Sequence, residues 1–230
     1  MAKAHLKRLN APRTWKIKRK GIKFITRPNP GPHAAEMCMP INIVLRDMLG
    51  YASNAKQVKY MLAKQQILVD GKQRKDPKFP VGLMDVISLP LLKESYRMII
   101  DEKGFLRLLK IDSKEASIKP CKVLNKTRVK GGKTQLNLSS GINLIAEKDE
   151  YKCGGSLLVE LPSKKIKKNM QFDVGSYIFL TGGKHIGDHG VIEKISEEGV
   201  YYKSKSGGVV KTEKRFALVV GEKTPGISLG

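Results

Sequence analysis

Apolar residues recur at helical spacing in the stretch that follows Pro40. Positions three and four apart fall on one face of an α-helix, so this spacing predicts a helix over residues 41–49. Ser53 and Asn54 form a capping signal for a second helix over residues 54–65. The apolar face of the first helix comprises Ile41, Val44, Leu45, Met48 and Leu49, and that of the second comprises Val58, Met61 and Leu62.

Short alternating segments dominate most of the remaining chain and predict β-strands. Asp70 and Gly71 follow the apolar run 67–69 and form a tight hairpin signal, and residues 85–89 close this unit as a strand. Further strands are predicted at 96–100, 105–111, 123–129, 133–138, 143–145 and 156–161, with the basic run 164–168 lying between strands. Strands and turns at this spacing predict a small barrel or sandwich over residues 92–171.

A glycine-rich loop divides the C-terminal segment, residues 172–230. The predicted strands 176–180 and 191–195 flank this loop, which covers residues 181–190. Glycine adopts positive φ values without steric cost and lets the backbone come close to a partner. The pattern therefore predicts a sharp loop between two neighbouring strands.

The excess of basic over acidic residues is more informative about function than the total number of charged residues. The 230 residues include 44 Lys and Arg against 21 Asp and Glu, which gives a net charge of +23 and a pI near 9.9. Such an excess indicates a polyanionic partner, nucleic acid rather than an anionic membrane. The surplus is +10 over residues 1–33, +3 over 34–90, +9 over 91–171 and +1 over 172–230. Electrostatics alone therefore does not explain the C-terminal segment.

Residues 1–40 are predicted to form a basic arm. Prolines at positions 28, 30 and 32 disfavour regular structure, and the arm has too few apolar residues to fold alone. A solvated tail is one interpretation; the other is an arm that orders against phosphates by counterion release, with Trp15 stacking on a base or packing on a partner. Besides Trp15, the candidate contacts are Lys3, Lys7, Arg8, Arg13, Lys16, Lys18, Arg19, Lys20, Lys23 and Arg27.

Several other classes of protein are disfavoured by what the sequence lacks. No apolar run approaches the roughly 20 residues of a membrane-spanning helix, and no apolar stretch follows the basic N-terminus as in a secretory signal. Pro12 and the excess of lysine count against a mitochondrial transit peptide. Cys38, Cys121 and Cys153 lie far apart, which suits a reducing cytoplasm.

Two sequence patterns resemble functional sites, a phosphate-binding loop and a metal site, but their details do not support either. Lys133 follows a glycine pair, yet Thr127 occupies the position of the first glycine of a phosphate-binding loop, so a hairpin is expected there. His185 and His189 are four residues apart, but the glycines among them favour a loop over a metal-binding helix face. We therefore predict no catalytic residue, metal, cofactor or small-molecule substrate.

The two helices, the hairpin and the strand that follows resemble an RNA-binding module first named after a bacterial small-subunit ribosomal protein. The resemblance rests on residues 67–74 and 81–87, although the turn from Gly82 to Asp85 is two residues longer than usual. It implies that the second helix and the hairpin form the RNA surface. Their basic residues are Lys56, Lys59, Lys64, Lys72, Arg74 and Lys75.

The loop over residues 181–190 and its two strands resemble the KOW motif. Gly190 matches the obligatory glycine of that motif, and Lys184 and His185 match the polar tip of its loop. This resemblance implies a small SH3-like barrel that binds RNA or protein.

The arm, the RNA-binding module, the β-rich middle and the KOW segment, in this order, resemble the archaeal and eukaryotic small-subunit ribosomal protein four family of the "e" type. This implies a multidomain α+β protein with an arm (1–40), a two-helix α+β module (41–91), a β-rich barrel-like domain (92–171) and an SH3-like KOW barrel (172–230). The implied function is structural binding of small-subunit rRNA beside neighbouring ribosomal proteins in the cytoplasm, without catalysis. An rRNA-modifying enzyme and a transient transcription or translation factor remain alternatives.

Overall fold

A computed structural model describes residues 5–64, 67–129, 131–147, 150–205 and 207–230. The chain divides into two compact units, one comprising residues 1–99 and 105–116 and the other comprising 100–104 and 117–230. In the described ranges, no helix is both long enough and apolar enough to cross a membrane.

The described residues of the first unit form nine short strands and two helical segments. The strands are β1 (Leu6–Lys7), β2 (Phe24–Ile25), β3 (Cys38–Pro40), β4 (Leu68–Val69), β5 (Lys72–Gln73), β6 (Pro80–Gly82), β7 (Val86–Leu89), β8 (Glu94–Ile100) and β9 (Leu106–Ile111). The helices are α1 (Ile41–Ile43), which continues as a π-helix over Val44–Met48, and α2 (Ala55–Ala63). Single 3-10 turns lie at Arg8–Asn10, Ala35–Met37 and Pro90–Leu92.

The strands of the first unit form one five-stranded sheet and two small ladders. The sheet has the order β5-β4-β7-β8-β9, and the ladders are β1-β2 and β3-β6. The predicted strands 96–100 and 105–111 exist, but they extend this sheet and do not join the later strands. The reason is local: only four residues separate β7 from β8, so β8 folds back beside β7 and pairs Ile87 with Tyr96.

The first predicted helix is present, although only part of it is α-helical. The amide of Leu49 donates to the carbonyl of Val44, five residues earlier, which is the π pattern. The second helix begins as expected, because the Asn54 side chain accepts from the Gln57 amide at 2.9 Å. It ends at Ala63, and the last predicted residue, Gln65, lies outside the described residues.

The basic arm is more regular than its prolines led us to expect. Leu6 pairs with Ile25 across β1 and β2, so two segments of the arm form a short antiparallel ladder. Ala11, Trp15 and Ile25 are buried in the same core as the two helical segments. The expectation that the arm lacks regular structure is therefore wrong for the segments that contain these residues, because the few apolar residues of the arm pack on a core that the rest of the unit supplies. It holds for residues 26–34, the stretch that contains the prolines, where no helix or strand forms.

In the second unit, the part of the chain that the structure describes forms ten strands. They are β10 (Ile118–Arg128), β11 (Thr134–Leu138), β12 (Asn143–Ala146), β13 (Ser156–Glu160), β14 (Ile166–Met170), β15 (Tyr177–Leu180), β16 (His189–Ser196), β17 (Gly199–Ser204), β18 (Val209–Thr212) and β19 (Ala217–Gly221). Short 3-10 turns lie at Glu115–Ser117, Ser139–Gly141 and Lys214–Phe216. The two sheets, β12-β11-β10-β13-β14 and β18-β17-β16-β15-β19, are antiparallel throughout.

A bulge in β10 explains how one strand serves both halves of the first of these sheets. The register shifts between Val123 and Asn125, so residues before the bulge pair with β13 and residues after it pair with β11. The prediction that the basic run 164–168 lies between strands is partly wrong. Its second half belongs to β14, because Met170 and its neighbours pair with the free edge of β13.

Candidate nucleic-acid interface

Two arginines of the arm hold the arm itself together. Arg8 is buried, and its guanidinium donates to the carbonyls of Ile22 at 3.2 Å and Lys18 at 2.9 Å. Arg19 donates to the carbonyls of Ala11 at 2.7 Å and Pro12 at 2.8 Å. These donors satisfy backbone acceptors that would otherwise need water. Arg8, predicted as an RNA contact, is thus a structural residue of the arm, and Arg19 has two of its N–H groups engaged within it.

Trp15 was expected to stack on a base or pack on a partner, and the structure corrects both expectations. The side chain is 1% exposed, and its indole N–H donates to the carbonyl of Cys38 at 2.7 Å. A ring enclosed in this way has no free face for a nucleobase. Trp15 instead fixes the arm to the strand that leads into the first helix.

The remaining bases of the arm that the structure describes lie at the surface. Arg8 and Arg19 bond the backbone of the arm, whereas these other side chains are exposed. The exposed residues are Lys7, Arg13, Lys16, Lys18, Lys20, Lys23 and Arg27. The remaining predicted residue, Lys3, lies outside the described residues. The folded arm therefore presents a set of cations on an organised backbone.

A side-chain contact that the sequence did not reveal fixes the segment around His33. The His33 Nε2 atom lies 2.9 Å from Oδ1 and 2.8 Å from Oδ2 of Asp85, and Oδ2 also accepts from the Gly82 amide. A Cβ on Gly82 would lie 2.2 Å from the His33 ring, so only glycine leaves room for it. His33 and Asp85 are 52 residues apart, and no local signal connects them.

Helix α2 presents three lysines on its solvent side. Val58 and Leu62 face the core, and the lysines are Lys56, Lys59 and Lys64, all exposed. The cap residue Asn54 satisfies one of the free amides at the start of the helix. The positive end of the helix dipole adds to the field of Lys56, so this end attracts phosphate.

The hairpin after α2 places further cations on the same unit. Asp70 and Gly71 have φ values of 51° and 69°, the conformation of the two central residues of a tight hairpin turn. Lys72 and Lys75 are exposed. Arg74 is half-buried, with its guanidinium carbon 4.3 Å from the centroid of the Phe79 ring, so it packs against the hairpin with less of its surface open.

The glycine-rich loop lies in the second unit, and two close approaches fix its course. A Cβ on Gly182 would lie 2.6 Å from the Phe216 ring, and one on Gly187 would lie 2.4 Å from the backbone of Asp101. Lys184 is exposed at the loop, and His185 is half-buried. The predicted loop is present over residues 181–188, where the Asp188 amide donates to the His185 carbonyl at 3.2 Å in a turn, and the last two predicted loop residues, 189 and 190, belong to β16.

Lys122 stabilises the turn that carries Phe216, a role that no signal in the sequence indicated. Its ammonium donates to the carbonyls of Lys214, Arg215 and Ala217 at 2.8, 2.9 and 2.8 Å. These three acceptors surround Phe216, the residue that packs on Gly182. Burial lowers the pKa of Lys122 to about 8.

The predicted site residues thus fall into two groups. Those of the arm, α2 and the hairpin belong to the first unit, and Lys184 and His185 belong to the second. The first group combines exposed cations with an ordered helix and turn. This arrangement defines a nucleic-acid-binding protein built on a small helix-and-hairpin RNA-binding module.

Comparisons with known proteins agree with that class. Residues 2–36 match the RS4NT domain, residues 39–87 match the S4 domain, and residues 92–166 match the ribosomal family S4e. The small ribosomal subunit protein eS4 of Methanocaldococcus jannaschii is 42% identical, with 99% of this chain and 98% of that protein covered. The protein of the same name from Methanococcus aeolicus is 43% identical, with 98% and 97% covered. The chain therefore belongs to the eS4 family of small ribosomal subunit proteins.

A solved structure supports the same relationship at the level of the fold. The crystal structure of the 30S ribosomal protein S4e from Thermoplasma acidophilum aligns with a TM-score of 0.68 and 30% identity. The alignment covers 81% of this chain and 96% of that one.

Proposed function

We propose that this protein is a structural constituent of the small ribosomal subunit that binds rRNA through its exposed cations and catalyses no reaction. The observation that carries the proposal is the ordered, cation-covered surface of the arm, α2 and the hairpin in a chain related over nearly its full length to eS4 proteins. Cations that meet phosphates release condensed counterions, and this release drives binding.

The division of labour among the arginines and lysines supports this mechanism. Arg8 and Arg19 bond the backbone of the arm, while the exposed lysines around them have their ammonium groups in solvent. An arm that is already folded loses less conformational entropy on binding than a disordered tail. The RNA would be recognised mainly through its backbone and shape, because side chains cannot enter the deep groove of A-form RNA.

The C-terminal segment, residues 172–230, is assigned by this proposal as an SH3-like KOW barrel. Gly190 supports the assignment, since a Cβ there would lie 1.9 Å from the Lys203 carbonyl oxygen, and only glycine fits. With Lys184 and His185 at its loop, this barrel would contact rRNA or a neighbouring ribosomal protein. Residues 1–40 and 41–91 would serve as the arm and the RNA-binding module. Of the range 92–171, β8 and β9 extend the sheet of the first unit, so the β-rich domain would comprise the strands from β10 to β14, and the protein would act in the cytoplasm.

The topology of the second unit disfavours a modifying enzyme. Its two five-stranded sheets are antiparallel, whereas a methyltransferase of the doubly wound class needs parallel strands that alternate with helices. Purified protein incubated with rRNA and a methyl donor is expected to give no product, and turnover would favour the enzyme.

A salt titration of binding tests the proposal. We expect the purified protein to bind small-subunit rRNA, with the logarithm of the affinity falling steeply and linearly as the logarithm of the salt concentration rises. Absence of binding, or affinity that does not change with salt, would contradict the proposal.

A further inference from the structure

Tyr60 is an exposed aromatic residue on the helix that carries the RNA-facing lysines. Its side chain is 62% exposed, whereas Val58 and Leu62 on either side of it in sequence are fully buried. A single exposed apolar side chain is ordinary on a protein surface. What sets Tyr60 apart is its surroundings.

Two lysines flank Tyr60 along the helix. Lys56 precedes it by four residues and Lys64 follows it by four, so all three side chains lie on the same side of α2. The Lys64 ammonium lies 5.7 Å from the centroid of the Tyr60 ring. Lys56 and Lys64 are about 12 Å apart along the helix axis, at a rise of roughly 1.5 Å per residue. An aromatic ring therefore lies between two cations.

An open depression borders the ring, and its walls are held in place by hydrogen bonds. Tyr51, Lys56, Gln57, Tyr60 and Met61 line it. The Gln57 carboxamide oxygen accepts from the Ser53 amide at 2.7 Å and from the Ser53 hydroxyl at 2.9 Å. Because these bonds orient the carboxamide, its –NH2 group is a fixed donor at the rim.

The Tyr51 side of the depression is fixed as well. The Tyr51 hydroxyl donates to the Glu94 carboxylate at 2.5 Å, and Glu94 also accepts from the Lys110 ammonium at 2.5 Å. The depression thus combines an exposed aromatic ring, apolar surface from Met61, an oriented hydrogen-bond donor and two flanking cations.

From this arrangement we infer that Tyr60 is a stacking platform for an unpaired nucleobase of the bound RNA, with Lys56 and Lys64 contacting the phosphates on either side. A nucleobase offers a flat π face to the ring and carbonyl oxygens to the Gln57 –NH2 group. Sequence-tolerant binding of single-stranded segments relies on the same combination of aromatic ring and cations. The inference rests on the proposed function and adds a contact that depends on shape.

Stacking and ion pairing respond differently to salt, and this difference separates the two contributions. Loss of a phosphate contact lowers the slope of log affinity against log salt, because fewer counterions are released. Loss of a stacked base weakens binding at all salt concentrations and leaves that slope unchanged. Tyr60 and its lysine neighbours therefore have distinct signatures in one titration.

The test measures binding to small-subunit rRNA across a salt series for the full-length wild-type protein, Tyr60→Ala, Tyr60→Phe and Lys56→Gln. We expect Tyr60→Ala to weaken binding by about five- to 150-fold with an unchanged slope. Tyr60→Phe keeps the ring and should stay within about twofold of the wild type. Lys56→Gln should lower the slope by about one. Because Tyr60 is exposed, its variants should keep the wild-type melting temperature.

Three results would overturn the inference while wild-type binding and the proposed function stand. These are wild-type affinity for Tyr60→Ala, equal losses for Tyr60→Ala and Tyr60→Phe, and a lowered slope for Tyr60→Ala. The second would assign the effect to the hydroxyl group, and the third would assign it to displacement of Lys64. A wild-type protein that fails to bind rRNA would instead contradict the proposed function.

Discussion

The roles of several side chains in this protein could not be predicted from their residue type alone. Arg8 and Trp15 look like RNA contacts in a basic arm, but both bond backbone carbonyls within their own unit. Lys122 bonds three carbonyls of the second unit. Basic residues therefore have two roles in this protein. Exposed ones are available to bind RNA, and less exposed ones stabilise the fold by bonding backbone carbonyls, so the degree of burial distinguishes the two roles.

The Lys122 contact leads to a prediction about stability. Lys122→Met keeps the aliphatic stem but removes three hydrogen bonds from the turn that carries Phe216, so we expect the free energy of unfolding to fall by about 1–3 kcal/mol. Urea denaturation measures this change. The exposed Lys194 provides the matched control, and equal stability of Lys122→Met and Lys194→Met would rule out a bracing role.

Glu94 leads to a prediction about pH. Hydrogen bonds from Lys110, Tyr51 and Tyr96 lower the pKa of Glu94 from its ordinary 4.5 to about 2. A carboxyl group whose pKa is lower in the folded than in the unfolded state stabilises the fold when the pH is above its unfolded-state pKa. This stabilisation is lost as the pH falls from about 4.5 towards 2. Melting temperatures measured across this window should fall less steeply for Glu94→Gln than for the wild type. Parallel curves would show that Glu94 does not contribute.

At the scale of elements, the sequence predicted correctly those helix starts and turns that depend on interactions between residues close together in the chain. Asn54 marks the start of α2, and Asp70 with Gly71 marks the hairpin, because caps and tight turns need particular residues at fixed positions. The arm was mispredicted since its order depends on contacts such as the bond between Trp15 and Cys38, 23 residues apart. Half of the basic run 164–168 became a strand for a similar reason, the free edge of β13.

The same limit applies to the candidate site. Composition and the resemblance indicated which elements carry the cations, and the exposed lysines of α2 and the hairpin agree with that indication. They could not separate Arg8 from Lys7, which are adjacent in sequence but opposite in burial. Composition and the resemblance also did not single out Tyr60, because a tyrosine at helical spacing is equally compatible with a position in the core.

The arm as an element has a testable share of the binding energy. Arg13, Lys16 and Lys20 are exposed, so replacing all three with Gln should leave the fold intact and lower the salt slope of rRNA binding by about three. A control triple in the C-terminal segment, Lys194, Lys203 and Lys223, should change the slope less. An unchanged slope for the arm triple would remove these residues from the interface.

For the whole molecule, charge and topology divide the work between the two units. The first 33 residues alone carry +10, whereas residues 172–230 carry +1. We therefore expect the first unit to supply most of the salt-dependent binding. The nearly neutral C-terminal sheet, with its tightly held glycine loop, would add contacts that depend on shape.

Crosslinking inside purified small ribosomal subunits tests the central claim most directly. Subunits sedimented through high-salt sucrose should retain the protein, and ultraviolet crosslinks to rRNA should map to the exposed residues of the arm and α2, such as Lys16 and Lys59. Absence of the protein from the subunit, or crosslinks to rRNA from neither element, would contradict the account.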